Sequence, residues 1–394
     1  MTGMAALRDG LRGRAERAQE WAVRGASRRM VLGLFTELMT SGGIQRTSLH
    51  AAAALVDLAR RQERPVHFLS LNDPVGWHEL RVAGEVVPLL GFGGAKARFV
   101  VATVATVPHI GFAYIGHPNL APLGIVTKLL RPRAWYCVAT YGIEVWEPLP
   151  VFRRLGLKWA RVVTSVSEFT AQRLVTAQGL AGRPVVIVPP GLDPILSGNG
   201  PRRSLPLLPP GRILLTVARL TASDSYKGVG HVIQALPAVL SAVPDAYYVV
   251  VGEGDDRGRL ERLAVDARVR DHVLFVGTKA DEELAGYYQA CDAFVMPSRS
   301  EGFGIVFLEA MSHGKPVVAA NSGATPEVVE DGVTGLLIEY GEVQTLASSL
   351  AHLLTDHEYR QRMGEAGRRR VEAHYTFERF RTRLATLLTD AARS

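Results

Sequence analysis

At 394 residues the chain exceeds what one hydrophobic core organises, so two domains are expected, and 47% hydrophobic residues with 39 glycines allow each half a substantial α/β core. The net charge of +7 suits phosphorylated substrates or anionic lipid, whereas no lysine and arginine stripe with interleaved aromatics supports a nucleic-acid partner. Cys137 and Cys291 lie far apart in apolar, strand-like segments, which reads as reduced core thiols of a cytoplasmic protein with no metal spacing. No apolar run reaches transmembrane length, and the N-terminus lacks the apolar centre of a signal peptide.

Residues 1–29 carry seven arginines against three acids, with Leu7, Leu11, Ala15, Ala18 and Ala22 on one helical face. This basic leader fits either peripheral contact with the inner face of an anionic membrane or packing on its own protein. A first strand at 30–35 leads to Gly42-Gly43 and a helix through 49–61, so backbone can approach a ligand closely at a helix N-terminus. A strand at 66–71, a polar excursion, a helix at 95–106 and a strand at 109–115 follow. That strand ends at His117 and Asn119, and another ends near Thr140, ahead of Tyr141 and Glu144. Open α/β sheets bind ligands at such carboxyl ends, which makes His117, Asn119, Tyr141 and Glu144 candidates for sugar or acceptor contacts. Ser167 is placed to cap a helix through Leu174. A strand at 185–188 closes a first domain of residues 30–193, and 194–211, rich in Pro, Gly and Ser, reads as the linker.

The second domain, 212–375, opens with the continuous apolar run 213–218, as expected of a buried parallel strand. Arg219 stands at its end, and Lys227-Gly228 precedes a helix at 232–239. Strands at 247–251 and 273–276 end in Gly252-Glu253-Gly254 and in Gly277-Thr278-Lys279. The next strand, 293–296, runs out into Glu301-Gly302-Phe303-Gly304-Ile305 and an apolar segment broken by Glu309. Strand, glycine turn and helix start together aim backbone N–H groups at an anion. Glu309 lies between Leu308 and Ala310, where an ionised carboxylate is costly unless paired or in reach of a ligand. A strand at 315–320 and a helix near Pro326 bring a second helix N-terminus to the same sheet edge, and these features describe a site for a phosphorylated, hydroxyl-rich ligand.

The E-x7-E spacing of Glu301 and Glu309, the following H-G-K-P-V-V-A and the run G-A-T-P-E-V-V-E-D-G-V-T-G-L-L resemble the retaining glycosyltransferases of family 4. The resemblance covers about 30–390 and implies the GT-B fold: an α/β architecture of two Rossmann-like doubly wound domains facing across a cleft, with a final helix (376–394) crossing back to the first. It implies transfer of a hexose from a nucleoside-diphosphate sugar to a hydroxyl acceptor (a glycan, glycolipid or glycoside), with anomeric retention. Glu301 would meet the donor sugar, Glu309 the ribose, the amides of Gly302, Phe303, Gly304 and Ile305 the phosphates with Gly42 and Gly43, and Gly277 and Lys279 the base, leaving uridine and guanosine both open. Relatives often carry histidine where Tyr141 stands, which puts a proton-shuttling role there in doubt.

Breaking the anomeric bond leaves a diphosphate whose charge must be stabilised. No Asp-x-Asp metal motif occurs, so Arg219 and Lys227, with the helix N-termini, are expected to act in place of a metal, and no cofactor is expected. A nucleotide-sugar epimerase or phosphorylase on the same scaffold is the alternative. A dinucleotide oxidoreductase fits poorly, because Arg257 occupies the third glycine position after Gly252 and Gly254.

Overall fold

The computed structural model describes residues 29–393, apart from 41, 83 and 199–206. The basic leader, 1–28, therefore lies outside the described residues, as does the middle of the stretch read as linker.

Two sheets form the frame. Strands β1 (Met30–Phe35), β2 (Val66–Ser70), β3 (Gly76–Val82), β4 (Glu85–Gly91), β5 (Ile110–Ile115), β6 (Trp135–Thr140), β7 (Val162–Ser165) and β8 (Val185–Ile187) assemble in the order β3-β4-β2-β1-β5-β6-β7-β8. All neighbours are parallel except β3, which runs antiparallel to β4. Strands β9 (Arg212–Val217), β10 (Ala246–Val251), β11 (Val273–Gly277), β12 (Ala293–Met296), β13 (Val317–Ala320) and β14 (Gly335–Ile338) form a second, fully parallel sheet ordered β11-β10-β9-β12-β13-β14. Helices cover both faces, so the central strands are apolar on both sides: Ile213, Leu214 and Leu215 are all buried. Strand order reverses between β1 and β5 in one sheet and between β9 and β12 in the other. These switch points open crevices at the carboxyl ends of the strands, and every expected site residue except Gly277 and Lys279 follows one of these four strands or the adjacent β6.

The polar excursion after 71 is in fact the β3–β4 hairpin, whose alternating exposure along Gly76–Val82 marks an edge strand with one solvated face. The helix expected at 49–61 begins six residues earlier, at Gly43, and a helix at Val151–Trp159 also went unread. Pro194–Leu196, at the start of the presumed linker, forms a 3-10 turn, and Leu196 is fully buried in the second domain's core.

The chain passes between the domains twice, and the two passages touch: Leu192 N–H donates to Tyr375 O at 2.7 Å, and Leu192 bridges Thr376. After the second passage the helix Phe377–Arg393 lies on the helix Gly43–Arg61. Phe380, Leu384, Leu388 and Ala391 complete the first domain's core beside Ala51–Leu55, and Arg381 Nε donates to Asp57 Oδ2 at 2.9 Å. The last helix thus belongs in packing to the first domain.

Candidate active site

The helix Ile305–Ser312 starts directly after Gly304, whose φ of 90° lies in the left-handed region that glycine enters without a Cβ penalty. Gly302 is required for a different reason. A Cβ there would come 2.3 Å from the carbonyl oxygen of Tyr141 in the other domain, so only glycine permits this approach. The Gly302 carbonyl in turn accepts hydrogen bonds from Ser167 Oγ (2.7 Å) and Thr170 Oγ1 (3.3 Å). Glu327 caps the helix that Ser167 opens, accepting from the N–H groups of Glu168 (2.8 Å) and Phe169 (2.7 Å). Ser167 also caps its own helix through Thr170 N–H, as expected. These first-domain loops are therefore fastened to the glycine turn of the second domain.

Lys227 and Glu301 come together. Nζ donates to Oε1 at 2.6 Å, with the lysine side chain 18% and the glutamate 10% exposed. Burial acts to lower the Lys227 pKa, but the charge and hydrogen bond of Glu301, helped by Tyr226 and Asp224, hold the ammonium above the ordinary lysine value. It is a fixed cation at neutral pH. Gly228, with φ 79°, lets the chain turn against Pro297, placing Lys227 beside the end of β12. Arg219 differs: its side chain is 78% exposed and pairs with Asp224 at 3.1 Å.

Glu309 is buried, and both of its oxygens are engaged. Arg46 Nη1 donates to Oε1 at 2.8 Å and Tyr288 Oη to Oε2 at 2.6 Å, while Arg46 also pairs with Asp281. Burial raises the Glu309 pKa, and Arg46 with Tyr288 offset only part of that rise. The need for a partner was legible in the apolar flanks of Glu309. Its identity was not, because Arg46 lies in the other domain.

Gly43 faces the same helix start, since a Cβ on it would meet Ile305 Cδ1 at 3.5 Å. Gly277 adopts φ 75° at the end of β11, and Lys279 lies 4.0 Å from Glu283 and over the ring of Tyr287. On the opposite side, His117 is buried and stacks on Tyr141 with ring centroids 6.3 Å apart. Its Nδ1 accepts from Asn119 N–H at 3.1 Å, so His117 does cap its turn; Asn119 itself is exposed. Burial, with Arg153 adding to it, pushes the His117 pKa down to about 4, so the ring is neutral near pH 7. The Tyr141 phenol is pushed up to about 12, chiefly by burial, and its oxygen lies 3.4 Å from Ser48 Oγ. Held protonated, it is equipped to donate a hydrogen bond and not to act as a base. Glu144 turns back on its own loop, where Oε1 accepts from Tyr141 N–H at 2.5 Å. Among the described residues no cluster of three or more His, Cys, Asp or Glu could hold a metal ion, and no helix is long and apolar enough to cross a membrane.

Known proteins resemble this chain in sequence and in fold. The sequence model of the family "Glycosyl transferases group 1" matches residues 202–370. A GDP-mannose-dependent alpha-(1-6)-phosphatidylinositol monomannoside mannosyltransferase of Mycobacterium tuberculosis is 38% identical over 287 residues, covering 67% of this chain and 74% of that one. A Corynebacterium glutamicum mannosyltransferase, GDP-mannose-dependent and acting on monoacylated alpha-(1-6)-phosphatidylinositol monomannoside by its name, is 34% identical over 279 residues, 65% of this chain and 70% of that one. Among solved structures, Anabaena HepE in complex with UDP superposes with a TM-score of 0.70 at 22% identity, covering 92% of this chain and all of that one. The likeness to HepE shows the fold, and the mycobacterial relative shows the family: this chain belongs to the group 1 glycosyltransferases, family 4, of GT-B fold.

Proposed function

We propose that this glycosyltransferase moves mannose from GDP-mannose to a mannosylated phosphatidylinositol or a closely related glycolipid. The buried Lys227–Glu301 pair beside the glycine turn carries this reading, since it sets a fixed cation and a carboxylate at one helix mouth. Lys227 would neutralise the departing diphosphate, assisted by the amides of the Ile305–Ser312 helix start and by Arg219 swinging in from the rim. Glu301 would accept from the sugar hydroxyls and Glu309 from the ribose. The donor choice follows the mycobacterial and corynebacterial relatives, whose names specify GDP-mannose.

The acceptor side suits an amphipathic molecule. Val151 and Phe152 are 63% and 70% exposed next to Arg153, whose charge reaches His117, and Ile143, two residues beyond Tyr141, is also exposed. Apolar surface beside a cation fits a lipid with an anionic headgroup. Such an acceptor places the enzyme at the inner face of a membrane, in peripheral contact with it.

The acceptor hydroxyl attacks from the face the diphosphate leaves, retaining the anomeric configuration. Its proton passes to the departing phosphate oxygen, so no protein nucleophile and no metal is required. Thermal shift against GDP, UDP, ADP and their sugars tests the donor, because a ligand of the native state raises the midpoint as ln(1 + [L]/Kd). The largest shift is expected from GDP-mannose. A response to UDP-sugars alone would reassign the base, and silence across the panel would remove the donor site. The one-bond C1–H1 coupling of the product, read by NMR, decides retention, because the H1–H2 coupling of a mannoside is small in both anomers.

A further inference from the structure

Arg46 belongs to none of the expected donor contacts, yet from the first domain it bonds to two carboxylates of the second. It sits one turn into the helix Gly43–Arg61, and its guanidinium lies between Glu309 and Asp281 of the second domain. With Tyr288 on the other oxygen, the Glu309 side chain retains only 2% of its surface. A ribose diol needs access to at least one of those oxygens, and at 2% exposure neither is open to it in this arrangement. Asp281 begins the next helix only two residues after Lys279, so the arginine lies across the stretch between the expected base and ribose contacts. The grip is also incomplete, because Arg46 Nε is buried with no partner among the described residues. A purely structural buried ion pair usually satisfies every donor, and an orphan N–H here marks an arrangement held at some cost.

We propose that Arg46 is a further residue of the donor site, an interdomain latch that occupies the ribose seat at Glu309 in the donor-free protein and is displaced by the donor. The inference rests on the reading of Glu309 as the ribose contact. Both bonds of the latch join the first domain to the second, so donor entry and a change in the domain contact are one event. A ligand that binds only the unlatched form has an apparent Kd equal to its intrinsic Kd divided by the unlatched fraction. Removing the latch raises that fraction and tightens binding, the opposite of what loss of a direct ligand contact does.

The test is calorimetric titration of guanosine diphosphate, with uridine diphosphate run beside it, into the wild type, Arg46→Met and the double variant Arg46→Met with Glu309→Gln. Arg46→Gln serves as the second variant should the methionine protein fold poorly. The latch predicts that the Arg46 variants bind the preferred nucleotide about tenfold more tightly than wild type, and that their ligand-free radius of gyration is larger. Glu309→Gln added to Arg46→Met should bind it more weakly than Arg46→Met alone, a comparison in which the latch is already absent. Unchanged or weaker binding by both Arg46 variants, with the double variant weakened further, overturns the latch and leaves the ribose seat standing. Equal affinity of the double variant and Arg46→Met overturns the ribose seat, and the latch with it.

Discussion

Lys227 Nζ donates to Glu301 Oε1 at 2.6 Å, across 74 residues of sequence and within one domain. The two residues read separately as leaving-group cation and sugar contact are thus one unit, and a change in either alters the surroundings of the other. Lys227→Met leaves a buried carboxylate without its cation and removes the fixed charge facing the diphosphate. A fall of about 10²–10³-fold in kcat/KM is expected, with a stability loss of about 1–3 kcal/mol. Glu301→Gln, which keeps the shape, should lose transfer while its thermal midpoint stays within a few degrees of wild type. Wild-type turnover in either variant removes the assignment.

His117 makes stability depend on pH in a defined window. The folded ring stays neutral down to about 4, whereas the unfolded chain takes up its proton near 6.5. Between these values the unfolded state holds more protons, so stability is lost as the pH falls from 6.5 toward 4, by at most about 3 kcal/mol from this group. Urea denaturation at pH 7 and pH 5 should show the loss, and His117→Asn should reduce it.

The final helix is expected to be indispensable to the first domain. Leu384 is fully buried between that helix and the alanine-rich face of Gly43–Arg61, so Leu384→Ala should cost about 2–5 kcal/mol through lost transfer energy and a residual cavity. Equilibrium unfolding measures this directly. A cost below about 1 kcal/mol would mean that the helix is dispensable cover.

Chelation separates two ways of stabilising a diphosphate. With Lys227, Arg219 and a helix N-terminus in that role, transfer should proceed unchanged in excess EDTA. Loss of activity, restored by a divalent cation, would assign the charge to a metal instead.

Much of the second domain was legible in the sequence, because its signals are local. Apolar runs without alternation mark strands covered on both faces, and Gly302 and Gly304 announce turn and helix start within a few residues of where they act. The first domain yielded less. The β3–β4 hairpin does alternate, from Trp77 exposed to Val82 buried, and Gly84 punctuates it, a signal that could have been followed. Glu144 stands at a strand end in the sequence, and only the fold shows that its Oε1 also holds Tyr141 N–H. Arg46 and Tyr288 were beyond reach for another reason. Their roles exist only where Glu309 meets them, 263 and 21 residues away in sequence, and no local pattern encodes such a meeting.

The most direct test is transfer itself. The protein would be incubated with GDP-mannose labelled in the sugar and with phosphatidylinositol monomannoside in detergent or vesicles, and the label followed into the lipid phase. The account predicts labelled lipid with the wild type and background with Glu301→Gln. Label recovered only as free mannose or as a different nucleotide sugar, with none in lipid, would contradict it.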